Sequence, residues 1–209
     1  MHRFPAALLD GYRSFMDERY EQHRYRELAE GQSPETMIIA CCDSRAAPET
    51  IFNSGPGELF VLRNVANLVP VFQPDGNQHG TSAAIEFAVN ALGVKNIVIM
   101  GHGRCGGIRA ALDPLSGPLA HGDFIGKWMS MLGPVADEVA AYSILTDKER
   151  QIMLERLSIR NSIKNLRTFP YVQQLEAEGK LQVHGAWFDI STGELWVMDA
   201  NGDFDRPEV

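Results

Sequence analysis

Apolar positions along the chain recur with two different periods. Over residues 5–28, Leu8, Leu9, Tyr12, Phe15, Met16 and Tyr20 fall at helical spacing and predict one long N-terminal helix. Its aromatic residues lie far apart, which suits an arm packed on another subunit and, equally, a helix on its own core. Short continuous apolar runs come next. TMIIAC (36–41) and NIVIM (96–100) read as buried strands, and ELFVLRNVAN (58–67) contains another. GTSAAIEFAVNALGV (80–94) returns to helical spacing, with Ala84, Phe87, Ala88 and Leu92 on one face and Gly93 as the stop. A short helix is expected over 105–112, a loop over 113–123, and helices near 123–140 and 147–166. LQVHGAWFDI (181–190) and GELWVMDA (193–200) flank a Ser-Thr-Gly turn and predict a strand pair. Strands alternating with helices and closing on a hairpin predict an α/β fold. Its central sheet is mostly parallel with an antiparallel edge strand, flanked by helices, with an N-terminal helical arm. Residues 1–209 are expected to form a single domain, of which 1–30 are the arm.

Composition narrows the function classes. The 209 residues include 44% hydrophobic ones, enough to bury a core of ordinary size. The formal net charge is −8, from 19 basic and 27 acidic residues with no long block of one sign. That argues against nucleic acid as a partner, since a phosphate binder clusters its basic residues on one face. No apolar run approaches the roughly 18 residues that a membrane span needs. Asp10, Arg13, Asp17 and Glu18 interrupt the N-terminus before a signal-peptide core can form, so a cytoplasmic location without membrane contact is expected. Cys41, Cys42 and Cys105 are an odd, small set, unsuited to a disulfide framework; structure, metal binding or catalysis remain.

The chemistry concentrates at two strand ends. The run NIVIM leads into GHGRCGG (101–107). His102 and Cys105 are three apart, and on an opening helical turn such a pair shares a face and reaches one metal ion. A third ligand must come from Cys41 or Cys42, which close the run MIIACC (37–42). Ligands collect at the C-terminal ends of parallel strands in open α/β sheets. A Cys₂His set suits zinc, and three protein ligands leave one position open, as in catalytic zinc sites. GHGRCG also fits the G-x-G-x-x-G dinucleotide fingerprint. The acidic partner about 20 residues on would be Asp123, but the segment before it is no strand, so the nucleotide reading is set aside.

The pair Cys41-Cys42-Asp43-Ser44-Arg45 and Gly101-His102-Gly103-Arg104-Cys105-Gly106-Gly107 resembles the signature of the β-class carbonic anhydrases, C-x-D-S-R followed by G-H-x-x-C-G-G. The likeness extends over most of the chain, including GQSPETMIIACCDSRAAPETIFNSGPGELFVLRNVANLVP and LQVHGAWFDISTGELWVMD, and is to plant-type bacterial members in particular. It implies Zn²⁺ held by Cys41, His102 and Cys105, and reversible hydration of CO₂ to bicarbonate and a proton by a zinc-hydroxide mechanism. Asp43 orients the zinc-bound water, or replaces it as a fourth ligand in a closed state, and Arg45 holds Asp43 ionised. If 41–43 is extended, Cys41 and Asp43 point to one side and Cys42 turns inward as a small packing residue. Two thiolates also offset the zinc charge and weaken its pull on water. The resemblance further implies that Gln32 donates to substrate, that Phe60, Val65 and Phe87 line the pocket, and that Gly106 belongs to it. Plant-type members often carry tyrosine where Phe87 stands. In those members a glutamine and an aromatic residue cross a dimer interface, so a homodimer or a dimer of dimers is expected. An inhibitory bicarbonate site of one subclass needs tryptophan where Ile38 stands and is incomplete here, although Arg63 matches its arginine.

Two alternatives share these residues. One is hydrolysis of carbonyl sulfide or carbon disulfide on the same fold. The other is a non-enzymatic zinc or thiol sensor in which Cys41 and Cys42 respond to oxidation. Of the other histidines, His79 precedes a helix as a loop residue able to relay protons, His184 reads as structural, and His2, His23 and His121 as surface.

Overall fold

The computed structural model describes residues 4–112 and 124–208. The chain divides into two compact units, one ending at Gln32 and one beginning at Ser33.

The N-terminal unit holds two helices, α1 (Ala6–Glu18) and α2 (Gln22–Ala29), where the periodicity predicts one. The N–H groups of Arg19 and Tyr20 both return to the Phe15 carbonyl, at 3.0 and 2.9 Å, and close α1. Phe15, Tyr20 and Tyr25 then gather at the break, with ring centroids 5.0 to 6.1 Å apart. Aromatic contacts therefore take the place of continued helix. Leu8 and Tyr12 on α1 are each 59% exposed.

The second unit runs through β1 (Thr36–Cys41), α3 (Pro48–Ile51), β2 (Leu59–Asn64), a 3₁₀ turn (Val65–Asn67), α4 (Gly80–Glu86), β3 (Asn96–His102) and α5 (Gly106–Leu112). It continues with α6 (Phe124–Met129), α7 (Gly133–Ala140), α8 (Asp147–Leu166), α9 (Pro170–Ala177), β4 (Gln182–Asp189), β5 (Glu194–Met198) and β6 (Phe204–Asp205). The loop expected at 113–123 lies outside the described residues. The sheet order is β2-β1-β3-β4-β5-β6. The first four strands are parallel; β5 and β6 are antiparallel additions, so the antiparallel edge has two strands where one was expected. At two residues, β6 is too short to carry a pattern.

The central strands are buried on both faces, which is why they read as unbroken apolar runs. Met37, Ile39, Ile97 and Ile99 pack on one side with Ile85, Ile163 and Phe169. Ile38, Ala40 and Met100 pack on the other with Ala186. Each isoleucine, methionine or phenylalanine among them contributes roughly 1.5–3 kcal/mol on burial. Helix α8 starts in a capping box, Thr146 with Glu149, and lies directly on the sheet. Two glycines permit this approach: a Cβ on Gly101 would stand 2.9 Å from Ile159 Cδ1, and one on Gly185 3.0 Å from Ile159 Cγ2.

The helix at 80–94 differs from its prediction. α4 passes into a π-helical turn over Phe87–Leu92, and Gly93, at φ 66°, ends it in the left-handed region. The buried stripe is Thr81, Ile85, Ala88 and Val89, and Phe87 is left 48% exposed.

Candidate metal centre

Strands β1 and β3 lie side by side in parallel, Ala40 opposite Met100, so Cys41 and His102 emerge at one end of the sheet. His102 is the last residue of β3, not part of a helical turn. A tight reversal follows, with Arg104 at φ 60° and the Gly103 N–H donating to the Phe188 carbonyl at 2.8 Å. That reversal delivers Cys105 just before α5 and replaces the helical i, i+3 geometry expected from spacing.

The ligand atoms of Cys41, His102 and Cys105 lie within 4.8 Å of one another, and all three residues are buried. The two sulfurs are 3.9 Å apart. His102 is 1% exposed. Its Nδ1 sits 2.9 Å from the Gly103 carbonyl and donates to it, which leaves the lone pair on Nε2. That nitrogen is buried without a hydrogen-bond partner. An orphaned imidazole nitrogen facing two thiols is what a Cys₂His zinc site presents, and the carbonyl behind the ring is the usual outer support for a ligating histidine. The donor set therefore fits zinc.

The backbone amides of Asp43 and Ala66 favour the thiolate of Cys41, and those of Gly107 and Ile108 at the start of α5 favour that of Cys105. Ala66 and Asn67 hold φ of 64° and 49°, a left-handed pair of non-glycine residues that brings the Ala66 amide into position. The hydrogen bond from Cys105 pulls the Cys41 thiol well down against the opposing effect of burial. The same bond, with burial, pushes Cys105 up. Burial pushes His102 down, but its contacts with Cys41 and the Gly103 carbonyl outweigh that and raise it.

Asp43 stands beside the group, with Oδ2 3.9 Å from His102 Nε2. Arg45 grips it in a two-pronged pair, Nε to Oδ1 at 2.9 Å and Nη2 to Oδ2 at 2.7 Å, and adds its backbone N–H at 3.0 Å. These bonds hold the Asp43 carboxyl well below the usual carboxylate range. Arg45 also donates to the Arg104 carbonyl at 3.3 Å, linking the two loops. Arg63 donates to the carbonyls of Cys41, at 2.8 Å, and Asp43, at 2.7 Å. Cys42 is exposed, contrary to the inward packing expected. β1 ends at Cys41, so the side opposite Cys41 and Asp43 is no longer core at that point.

One residue escaped the sequence reading. Glu155 of α8 is 1% exposed. Its Oε1 accepts from the Cys105 N–H and from Gln151, each at 3.0 Å, and its Oε2 accepts from Trp187 Nε1 at 3.2 Å. Burial raises Glu155, and these donors counter the rise. The signal was a charged residue inside a buried helical stripe, with Ser158, Ile159, Ser162, Ile163 and Leu166 at the matching spacings.

The remaining expected residues are placed unevenly. Val65 and Gly106 line one cleft of about 1550 Å³, together with Gly103, Gly107 and Trp187. Phe60 and Phe87 pair with ring centroids 5.9 Å apart. Gln32 is exposed at the end of the N-terminal unit. His79 lies 2.7 Å from Asp75, and His184 is satisfied by Asn96 at 3.1 Å. His23 is exposed; His2 and His121 lie outside the described residues. Among the described residues, no helix is long and apolar enough to cross a membrane.

Comparison with known proteins accords with this geometry. The carbonic anhydrase family model matches residues 36–195. The chain is 36% identical over 183 residues to the chloroplastic β carbonic anhydrase 5 of Arabidopsis thaliana, covering 84% of this chain but only 58% of that protein. Among solved structures, it is similar to the β-carbonic anhydrase CcaA, at 30% identity and a TM-score of 0.87, covering 97% of this chain and 92% of that one. It is likewise similar to a tetrameric β-carbonic anhydrase of Sordaria macrospora, at 35% identity and a TM-score of 0.73, with 93% of each chain covered.

Proposed function

Because the chain belongs to the β-class carbonic anhydrase family, we propose that it catalyses the zinc-dependent, reversible hydration of CO₂ to bicarbonate and a proton. One observation carries this reading. The buried Cys41, His102 and Cys105 converge with an unpartnered His102 Nε2, and an ionised carboxylate stands 3.9 Å from that nitrogen. Cys41, His102 and Cys105 would hold the metal. Zinc bound there supplies a Lewis acid that lowers the pKa of water toward neutrality.

The protein's own groups do the rest. Asp43, an acceptor only, receives a hydrogen bond from the reacting water and orients it. Arg45 occupies both Asp43 oxygens from one side and keeps the carboxylate charged and aimed. Arg63 fixes the two carbonyls that flank Cys42, so the peptide carrying both ligand and carboxylate cannot swing freely. Val65 and Gly106 give CO₂ an apolar patch within that cleft. Phe60 and Phe87 extend the apolar wall.

The same reading covers assembly. The 1–30 segment serves as an arm of a single-domain protein, and the exposed apolar side chains Leu8 and Tyr12 are covered by a second copy. Gln32 then reaches substrate in the neighbouring site of a dimer or dimer of dimers, in keeping with the tetrameric Sordaria relative.

Zinc content and stopped-flow CO₂ hydration on the purified protein test the proposal. One zinc per chain with rapid hydration supports it. Zinc with slow CO₂ hydration and fast hydrolysis of carbonyl sulfide would instead assign the sulfide substrate. Absence of zinc would remove the proposal altogether.

A further inference from the structure

Glu155 belongs to no part of the mechanism above, yet it is the most deeply buried carboxylate among the described residues, at 1% exposure. Resting on the zinc reading, we propose that Glu155 is the positioning residue for the metal ligand Cys105, setting its backbone from α8.

The geometry is specific. The Cys105 N–H donates to Glu155 Oε1 at 3.0 Å. The Cys105 carbonyl accepts from Gln151 Nε2 at 3.3 Å, and that same amide donates to Glu155 Oε1 at 3.0 Å. Glu155 and Gln151 are i and i−4 on one helix, so they face the ligand together. Both main-chain polar groups of Cys105 therefore meet a helix 46 to 50 residues away in sequence, and its carbonyl also accepts from the Arg109 N–H of its own helix at 3.0 Å. For the N–H the turn alone is a poor support, because Arg104 before it sits at φ 60° and α5 after it begins only at Gly106. The second Glu155 oxygen accepts from Trp187 Nε1 at 3.2 Å. The Arg156 guanidinium lies 4.8 Å from the centroid of that indole ring and, on its own account, 4.8 Å from Trp196. Three N–H donors thus converge on one buried carboxylate, which suits an acceptor-only anion and leaves its rotamer no alternative. A salt bridge could serve stability alone. A carboxylate that meets the backbone of a metal ligand instead governs where that sulfur stands before metal arrives.

The test is zinc affinity of the folded apoprotein, measured by competition with a chromophoric chelator, together with the visible absorption spectrum of the Co²⁺-substituted protein. Glu155→Gln keeps the shape but turns an N–H₂ group toward one of the three donors. Outer-sphere substitutions of this kind cost about 10–100-fold in metal affinity, and a loss in that range is expected here, with an altered cobalt spectrum. Gln151→Leu, which removes one of the two donors to the Cys105 carbonyl, should lose less, by several-fold. A purely structural role for Glu155 would lower the melting temperature without moving the affinity of the folded apoprotein or the cobalt bands. Affinities within twofold of wild type and an unchanged spectrum in Glu155→Gln would overturn the proposal. Should that variant not fold, an unchanged affinity and spectrum in Gln151→Leu would overturn it equally. Failure of the wild-type protein to bind zinc would sink the parent reading, and this one with it; a wild type that binds zinc alongside unaffected variants would sink this one alone.

Discussion

The ends of β1 and β3 build one centre but are held in opposite ways. At the end of β1, the pairing is local and faces solvent. Arg45 reaches back two residues to Asp43, its side chain half exposed, and Arg63 braces the same peptide from the next strand. At the end of β3, the supports lie deeper and mostly distant in sequence, with Glu155 and Gln151 of α8 holding Cys105 alongside the Arg109 N–H of its own helix. The first arrangement leaves a carboxylate free to act on what enters the site. The second fixes a ligand and admits little movement. The difference predicts that substitutions at the β1 end beyond Cys41 chiefly change turnover, whereas those at the β3 end chiefly change metal retention.

The largest effects should come from the ligands themselves. Cys41→Ser, His102→Ala and Cys105→Ser are each expected to lower zinc content to background, because a buried site with two remaining ligands cannot compete for the ion. Cys42→Ser, exposed and outside the cluster, should keep full zinc and full activity. Elemental analysis decides this, and zinc loss in Cys42→Ser with retention in Cys41→Ser would reverse the assignment. Next in size is Asp43→Ala. It should retain zinc and lose about 10²–10³-fold in kcat/KM, the range for one preorganised hydrogen-bonding group. Arg45→Met, which only releases Asp43, should lose about 10-fold or somewhat more, again with zinc bound. Zinc loss in either variant would erase the contrast between the two strand ends.

That contrast also explains what was legible in the sequence. TMIIAC matched β1 residue for residue, because strands buried on both faces leave a continuous apolar run. Cys41, Asp43, Arg45, His102 and Cys105 lie within two short segments, and their residue types state their chemistry. Parity correctly separated Cys42 from its neighbours, but it could not show that the strand stops at Cys41, so the inward placement was wrong. The π turn at Phe87–Leu92 and the left-handed Arg104 were hidden for a related reason: both are backbone choices imposed by packing rather than by the residues that adopt them. Glu155 acts across 50 residues, and such distance leaves only a weak local trace, one charge on an apolar stripe.

Packing of α8 on the sheet offers a further, smaller handle. A methyl group at Gly101 would meet the Ile159 side chain at 2.9 Å, immediately before His102. Gly101→Ala should therefore cost about 1–3 kcal/mol in unfolding free energy through overpacking. It should also weaken zinc binding, since it lifts α8 from the strand whose ligand turn that helix supports. Denaturant unfolding of the apoprotein and chelator competition measure the two effects separately, and a loss of stability with unchanged zinc affinity would show that α8 tolerates the shift.

The smallest effect asks whether the β3 end depends on α8 as a whole or on one carboxylate. Thr146 caps the helix: its side chain accepts from the Glu149 N–H while Glu149 reaches back to the Thr146 backbone. Thr146→Ala removes the cap and should destabilise the protein by about 1 kcal/mol, the usual size for such a loss. The first turn frays, but Gln151 and Glu155 lie beyond it, and Glu155 stays locked by the Cys105 and Trp187 donors. Zinc affinity should then match wild type even as the unfolding midpoint falls. If affinity instead drops in step with stability, support for Cys105 comes from the general firmness of α8, and the two strand ends differ only in burial.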